Sequence, residues 1–261
     1  MVQIHFRPQN IPRKHQRMNE EILRNMAVIQ ERINNACKES NRNPNEVKLL
    51  LATKTVPAVR IKIALQAGYT LIAENKVQEL KEKYEALKGV SHTNHFIGHL
   101  QTNKIKEVLK YDVSCIQSLD RIDLAEKLQQ RLEYEDKTID VLVQVNTSNE
   151  ESKFGVHPDK AIALVQQIAR LNRLKIKGLM TIGLFSAETQ KVRKCFRLLN
   201  DIQQQIISLN IPNVDMQELS MGMSGDLETA IAEGATIVRV GTAIFGERIY
   251  PDSYYWNEQK A

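Results

Sequence analysis

The sequence predicts an α/β fold, a single (β/α)₈ barrel of the TIM type preceded by one extra N-terminal helix. Eight strand-like segments alternate with seven helix-like segments along the chain. Several of the strand-like segments are continuous apolar runs, which is typical of parallel strands that are buried on both faces. The chain has 261 residues, and a barrel of this type usually takes about 250.

The predicted elements follow one another in a regular order. The first helix is expected from about residue 19 to residue 41, because Ile22, Met26, Ile29 and Ile33 recur at helical spacing before the polar stretch "SNRNPNE". The eight strands are predicted at residues 48–53, 70–73, 94–98, 114–118, 139–146, 174–180, 215–220 and 236–240. The helices between them are predicted at residues 57–68, 75–87, 102–110, 121–133, 158–171, 187–209 and 226–234.

We expect one folded domain, over residues 18–250. An open, doubly wound sheet is the alternative, but its first strand normally leads into a phosphate-binding G-x-G-x-x-G turn, and the turn here reads "KTVPAV". Residues 1–17 carry four basic residues, no acidic residue and two prolines, so we expect a disordered basic extension. Residues 251–261 are interpreted as a C-terminal tail.

Composition excludes several classes of function. The net charge is +5, but residues 1–17 account for most of it and leave +1 for the rest of the chain, which is a poor match for a nucleic acid. No apolar run approaches the ~18 residues that span a membrane, and the N-terminus lacks the apolar segment of a secretory signal. The three cysteines, Cys37, Cys115 and Cys195, lie far apart and show no C-x-x-C spacing. This pattern argues for a reducing compartment and against a zinc site. We therefore expect a cytoplasmic protein without a nucleic-acid or membrane partner.

The end of the first predicted strand carries a lysine in the stretch "LLLATKTVP". Active groups of such barrels lie at the C-terminal ends of the strands, which is where Lys54 falls. Strands commonly end at the surface, and surfaces carry lysines, so an ordinary solvent-exposed lysine is the alternative. An amine at the mouth of a barrel can also form a Schiff base when burial leaves part of it neutral.

Two turns after the seventh and eighth strands point to an anion. The first reads "SMGMSGD" and the second "RVGTA", and both offer backbone N–H groups and hydroxyls, with Gly241 and Thr242 in the second. The glycines in both segments could simply be turn residues, but barrels often bind phosphate after strands 7 and 8. A phosphate site beside a strand-end lysine suggests pyridoxal 5′-phosphate (PLP) as the cofactor.

Several segments together resemble a known family. They are "ATKTVP", "AENKVQE", "HFIGHLQTNK", "VNTSNEESKFG", "GLMTIG", "LSMGMSGDLETAI" and "RVGTAIFGER". In this order, over about residues 19–250, they strongly resemble the pyridoxal phosphate homeostasis protein family. The resemblance implies a fold similar to the N-terminal barrel domain of alanine racemase, which is PLP fold type III.

The resemblance also implies roles for individual residues. Lys54 would be the Schiff-base lysine, Asn75 would lie beside the cofactor ring, and Arg239 would face the pyridine nitrogen. The phosphate would be held by Ser220, Gly241 and Thr242, with Ser224 and the backbone of Met221, Gly222 and Met223 nearby. One departure is Ala73, where the family usually has glycine.

Simpler interpretations apply to some of these residues and to their neighbours. Asn75 could be a helix cap, whereas a charge within an apolar strand, as at Arg239, is unusual enough to favour function. His95 is predicted to be a core histidine with its hydrogen bonds satisfied, Lys104 a solvated helix residue and Cys195 a core residue.

Two functions compete. The first is a protein that holds PLP as a lysine Schiff base for intracellular PLP homeostasis without robust turnover, with PLP-dependent apo-enzymes as candidate recipients. The second is a small PLP-dependent amino-acid racemase. The racemases that the chain resembles take a second base, a tyrosine, from a separate domain, and we expect none here. We therefore favour homeostasis, and we expect a monomer.

Overall fold

The computed structural model describes residues 13–246, and within them eight parallel strands form a closed ring in sequence order. Each strand lies within two residues of its prediction, because long apolar runs mark buried parallel strands clearly. The strands are β1 (Lys48–Ala52), β2 (Leu71–Glu74), β3 (Thr93–Phe96), β4 (Val113–Leu119), β5 (Ile139–Gln144), β6 (Leu174–Met180), β7 (Val214–Ser220) and β8 (Ile237–Val240). The predicted barrel is confirmed.

Helices precede, separate and follow the strands. They are α1 (Arg13–Glu39), α2 (Ala58–Gln66), α3 (Val77–Leu87), α4 (Ile105–Lys110), α5 (Ile122–Tyr134), α6 (Pro158–Ile168), α7 (Thr189–Ser208), α8 (Leu227–Ala232) and α9 (Thr242–Phe245). A short 3₁₀ turn over Thr102–Lys104 leads into α4. The sequence did not predict α9, whose four residues are too few for a periodic pattern. No helix in residues 13–246 is long and apolar enough to cross a membrane.

The N-terminal boundary differs from the prediction. Helix α1 begins at Arg13, so residues 13–17 of the expected disordered extension are helical. No proline or glycine follows Pro12 before the amphipathic pattern begins, and Arg, Lys and Gln are good helix formers. Residues 1–12 of that extension and the predicted tail at 251–261 lie outside the described residues.

Helix α1 closes one side of the outer layer. It packs against α2, α8 and α9, with Ile22, Met26, Ile29 and Ile33 fully or almost fully buried. The Arg32 guanidinium donates to both carboxylate oxygens of Glu228 on α8, at 2.6 and 2.9 Å. The first helix is therefore an integral part of the barrel wall.

The apolar core has two layers. The larger one lies between the strands and the surrounding helices, and a smaller one fills the inside of the ring. The inner layer consists of Leu50, Ala73, Cys115, Leu142, Met180 and Ile237. Because side chains alternate along a strand, polar groups at the neighbouring inward positions lie directly above or below this layer.

Candidate cofactor site

The predicted site residues gather at the C-terminal ends of four consecutive strands in the ring, β7, β8, β1 and β2. Lys54 follows β1 by two residues and Asn75 follows β2 directly. Ser220 ends β7, Arg239 lies within β8, and Gly241 and Thr242 come directly after β8. Topology therefore brings together residues that are up to 188 positions apart in the sequence.

Strands β8 and β1 approach each other closely at the mouth. A Cβ atom on Gly241 would lie 2.7 Å from the carbonyl oxygen of Ala52, so a larger residue would push the two strand ends apart. Thr242 is exposed and begins α9, and its N–H group has no acceptor within that helix. Gly241 thus places a turn with an available hydroxyl and N–H beside the segment that carries Lys54.

The residues on either side of Lys54 are fixed by hydrogen bonds. Thr53 donates its hydroxyl to Glu74 Oε1 at 2.6 Å and its N–H to Ala73 O at 3.0 Å. Thr55 has a positive φ of 64°, and its N–H donates to Glu79 Oε2 at 3.1 Å. Lys54 itself is half-buried. Its backbone is therefore held from both sides at the mouth of the barrel.

A buried lysine joins these contacts into one cluster, which we call the Lys83 cluster: Lys83, Glu74, Glu79 and Thr53. Lys83 Nζ lies 2.8 Å from Glu74 Oε1, 2.8 Å from Thr53 O and 2.5 Å from Glu79 Oε2. Burial raises the pKa of Glu74 to about 7, although Lys83 and Thr53 act in the opposite direction. Our sequence reasoning missed this cluster, and the i,i+4 spacing of Glu79 and Lys83 was the available signal.

Asn75 lies where the ends of β2 and β3 meet. A Cβ atom on Gly98 would lie 1.8 Å from the carbonyl oxygen of Asn75, so only glycine allows this contact. The N-cap residue of α3 is Lys76 and makes no side-chain capping bond. The alternative that Asn75 is the cap is therefore wrong, and its half-buried side chain remains a candidate contact at the mouth.

Arg239 is a buried cation inside the barrel, with 6% of its surface exposed. Nη1 donates to Ser220 Oγ at 2.9 Å, and Nη2 donates to Thr181 O at 2.8 Å. Burial lowers the pKa of Arg239 to about 10, opposed by the charge of Asp226. The guanidinium therefore stays charged at neutral pH, fixed at the ends of β6 and β7.

Ser220 contacts the protein interior, which differs from its predicted contact with a phosphate. Its hydroxyl is fully buried, accepts from Arg239 and donates to Gln117 Oε1 at 2.6 Å. A hydroxyl has a single proton to donate, and here it goes to Gln117, so Ser220 supports Arg239 in this structure. Its contact with a phosphate stays a prediction.

Met221 also belongs to the barrel wall. Its side chain is fully buried in the outer core, and its N–H donates to Ile237 O at 3.1 Å. The N–H of Met223 donates to Asp226 Oδ1. Of the three neighbouring residues predicted near the phosphate, two thus have their N–H groups engaged within the protein.

The rest of this turn stays at the mouth. Gly222 has a φ of 90°, and its carbonyl accepts from the N–H of Arg239 at 3.0 Å. The carbonyl of Ser224 accepts from Arg32 Nη2 at 2.9 Å, while its side chain is half-buried. The turn is therefore tied to β8 and α1, and the Ser224 hydroxyl is its candidate donor.

Gln117 and His95 extend the polar contacts of Arg239 across the barrel. Gln117 Nε2 lies 2.8 Å from His95 Nδ1, and Gln117 is fully buried. Burial lowers the pKa of His95 to about 4. The prediction of a satisfied core histidine is supported at Nδ1, whereas the side chain is half-buried rather than fully buried. Gln117 was missed, and a polar residue within the run "SCIQSL" was the signal.

Two simpler interpretations are also confirmed. Lys104 is partly exposed and pairs with Glu107 at 3.2 Å, and Cys195 is buried on α7 with 7% of its surface exposed. Neither contributes to the candidate site.

Comparison with known proteins agrees with this architecture. The sequence pattern of the family described as alanine racemase, N-terminal domain, matches residues 24–249. A pyridoxal phosphate homeostasis protein of Aquifex aeolicus is 44% identical over 225 residues, which are 86% of this chain and 97% of that protein. One from Haemophilus influenzae is 41% identical over 234 residues, which are 89% and 98% of the two chains. PipY of Synechococcus elongatus, solved with PLP bound, is 32% identical, covers 84% of this chain and 100% of its own, and superposes with a TM-score of 0.71.

Proposed function

The chain belongs to the pyridoxal phosphate homeostasis protein family, and from this premise we propose that it binds PLP through Lys54 and serves intracellular PLP homeostasis without robust turnover. The observation that carries the proposal is the arrangement of two cations on neighbouring parts of the barrel. Lys54 is half-buried and follows β1, and Arg239 is buried in β8, which is hydrogen-bonded to β1. The PLP-bound structure of the Synechococcus relative supports the choice of ligand.

The donor groups at this mouth fit an anionic, aromatic aldehyde. We propose that the phosphate is held by the hydroxyls of Ser224 and Thr242 and by the N–H groups of the turns that contain Gly222 and Gly241. Backbone N–H groups can form anion-binding nests, and hydrogen bonds to an ionised acceptor are stronger than those between neutral groups. Thr242 supports this role because it is exposed and its N–H has no acceptor within α9.

The remaining site residues would orient the ring. Arg239 is proposed to face the pyridine nitrogen, and Asn75 to lie beside the ring. Ser220 and Met221 act indirectly, since Ser220 accepts from Arg239 and Met221 forms part of the wall. When bound, PLP supplies an aldehyde that can condense with the Lys54 amine to form a Schiff base.

Weak catalysis is proposed from the groups around the site. An arginine is always charged and has no proton acceptor, so it can donate to the ring nitrogen only while that nitrogen is unprotonated, which makes PLP a weaker electron sink. In the described residues, the tyrosines that precede strands, Tyr69, Tyr111 and Tyr134, lie towards the opposite mouth. These features favour holding and delivering PLP, with PLP-dependent apo-enzymes as recipients, over racemisation.

We further propose a monomer that acts in the cytoplasm. Cys37, Cys115 and Cys195 are free and buried, which suits a reducing compartment. Light scattering should give the mass of one chain, 29.9 kDa, and twice that mass would contradict the monomer.

The decisive experiment is chemical trapping of Lys54. Protein incubated with PLP and reduced with borohydride should carry the pyridoxyl label on the peptide that contains "ATKTVP". Lys54→Ala should lose the label and its yellow absorbance, yet retain weaker PLP binding through the phosphate contacts. Lys104→Ala is the matched control, because Lys104 pairs with Glu107 outside the site, and it should label as the unaltered protein does. A label on Lys76 or on Lys104 would overturn the assignment.

A further inference from the structure

A chain of hydrogen bonds crosses the inside of the barrel from Arg239 to His95. It runs from Arg239 Nη1 to Ser220 Oγ at 2.9 Å, from Ser220 Oγ to Gln117 Oε1 at 2.6 Å, and between Gln117 Nε2 and His95 Nδ1 at 2.8 Å. Ser220 and Gln117 are fully buried. The chain joins four different strands, β8, β7, β4 and β3.

The donors and acceptors of the four side chains give this series of hydrogen bonds one direction, from Arg239 to His95. Arginine can only donate, so Ser220 Oγ accepts from Arg239, and its own proton goes to Gln117 Oε1. The Gln117 oxygen is then the acceptor, and its NH₂ group must face His95. His95 Nδ1 consequently accepts, and the proton of the neutral ring lies on Nε2. Each group fixes the orientation of the next.

We propose that Gln117 and His95 are positioning residues, which hold the Arg239 guanidinium in place to read the ring nitrogen of PLP. The inference rests on the proposed function and deepens it. Only one further anchor of the guanidinium is seen among the described residues, the carbonyl of Thr181 at 2.8 Å. A long side chain loses considerable rotamer freedom when it is fixed, so a second anchor with a defined orientation decides where its other donors point.

Loss of Gln117 would release this anchor. Without Gln117 Oε1 as acceptor, the Ser220 hydroxyl can rotate. Its lone pairs are then no longer fixed in the direction of Arg239 Nη1. Loss of His95 would act one step earlier, because the Gln117 amide could then turn its NH₂ group towards Ser220. Either change should loosen Arg239 without touching Lys54 or the turns at Gly222 and Gly241.

The test compares PLP with its 1-deaza analogue, in which a C–H group replaces the ring nitrogen. Both ligands keep the phosphate and the aldehyde, so their ratio of dissociation constants reports the contact with the nitrogen alone. The unaltered protein should prefer PLP by about tenfold or more, as expected for one charge-assisted hydrogen bond. In Gln117→Leu the preference should fall to about twofold. The affinity for PLP should decrease, whereas the affinity for the deaza analogue should stay the same.

Two variants control for folding and for chemistry. Gln203→Leu removes another buried glutamine, which donates to Met216 O at 2.6 Å on the far side of β7, and it should keep the full preference. Gln117→Glu keeps an acceptor for Ser220 and should restore most of it. If Gln117→Leu fails to fold, His95→Leu takes its place and should also lower the preference.

The outcomes separate the inference from the proposed function. If the unaltered protein does not bind PLP, the proposed function fails and the inference fails with it. If it binds PLP but does not prefer it to the deaza analogue, Arg239 does not read the nitrogen and the inference alone is wrong. The same conclusion follows if Gln117→Leu keeps the preference of the unaltered protein.

Discussion

His95 is a histidine that its surroundings keep neutral. Its Nδ1 faces Gln117 inside the barrel, and burial lowers its pKa to about 4. The charge of Glu218 raises this pKa and that of Lys48 lowers it, but both effects are smaller than that of burial. The opposite side of the ring borders a cavity of about 390 Å³ at the N-terminal mouth, which is also lined by Lys48, Cys115, Asp140, Lys177 and Glu218.

The low pKa makes stability depend on pH in one direction. The unfolded chain takes up a proton on this histidine near its ordinary pKa of about 6.5, whereas the folded chain does so only near pH 4. The contribution of His95 to the free energy of unfolding is therefore fully present above pH 6.5 and is lost as the pH falls towards 4. Between pH 7 and pH 5, urea unfolding should lose about 2 kcal/mol more in the unaltered protein than in His95→Gln.

A second histidine provides the control for this comparison. His92 lies in the turn before β3, and its ring contacts the carbonyl of Val90. His92→Gln replaces a histidine outside the barrel interior and serves as the control variant. If His95→Gln is as sensitive to acid as the unaltered protein, His95 is not held neutral by the fold.

At the scale of elements, the connection between β1 and α2 is stabilised from outside, by α3. Lys83 lies on α3, and through Glu74 and Glu79 it fixes Thr53 and Thr55, the two neighbours of Lys54. Glu74 is 2% exposed, and a buried carboxylate is costly without its partner. The position of the lysine at the barrel mouth thus depends on contacts from α3.

Replacing Lys83 should therefore destabilise the protein. Lys83→Met leaves two carboxyl groups without their cation, and urea unfolding should show a loss of about 3–5 kcal/mol. Adding Glu74→Gln to this variant should recover part of the loss, because a neutral amide is cheaper to bury than an unpaired carboxylate. Lys81→Met is the control on the same helix, since Lys81 is exposed, and it should cost less than about 0.5 kcal/mol. Equal losses in Lys83→Met and Lys81→Met would show that the Lys83 cluster contributes nothing.

The same elements show how far a sequence can predict this structure. The apolar run at residues 49–52 marked β1, because strands buried on both faces leave a continuous local pattern. The bond of Gln117 to Ser220 spans 103 positions, and no local pattern reports such a contact. Ser220 was predicted at the right strand end, but its contacts with Gln117 and Arg239 were not predicted, because they join strands far apart in the sequence. Helix α9, with four residues, is too short to show a period.

At the scale of the whole molecule, the barrel is the fold of the alanine racemase N-terminal domain, yet the tyrosines in residues 13–246 lie away from the candidate site. Tyr69 precedes β2, Tyr111 precedes β4 and Tyr134 precedes β5. Tyr84 packs edge-on against Tyr111, with ring centroids 5.4 Å apart. The tyrosines of the described chain thus lie away from Lys54.

We therefore expect no sustained racemisation. Protein loaded with PLP and incubated with L-alanine should yield no more of the D-isomer than Lys54→Ala does, because Lys54 alone cannot serve both faces of the substrate. Chiral chromatography over several hours measures this. Steady formation of D-alanine that disappears in Lys54→Ala would favour the racemase instead.

The closed ring of strands has a consequence for the protein when no ligand is bound. Each strand that the structure describes is hydrogen-bonded to a neighbour on both sides, from the pairing of β1 with β2 round to that of β8 with β1. Unpaired strand edges are the templates on which proteins aggregate, and this sheet offers none whether or not a ligand sits at its mouth. The described sheet therefore exposes no strand edge to which a second chain could add when the site holds no ligand.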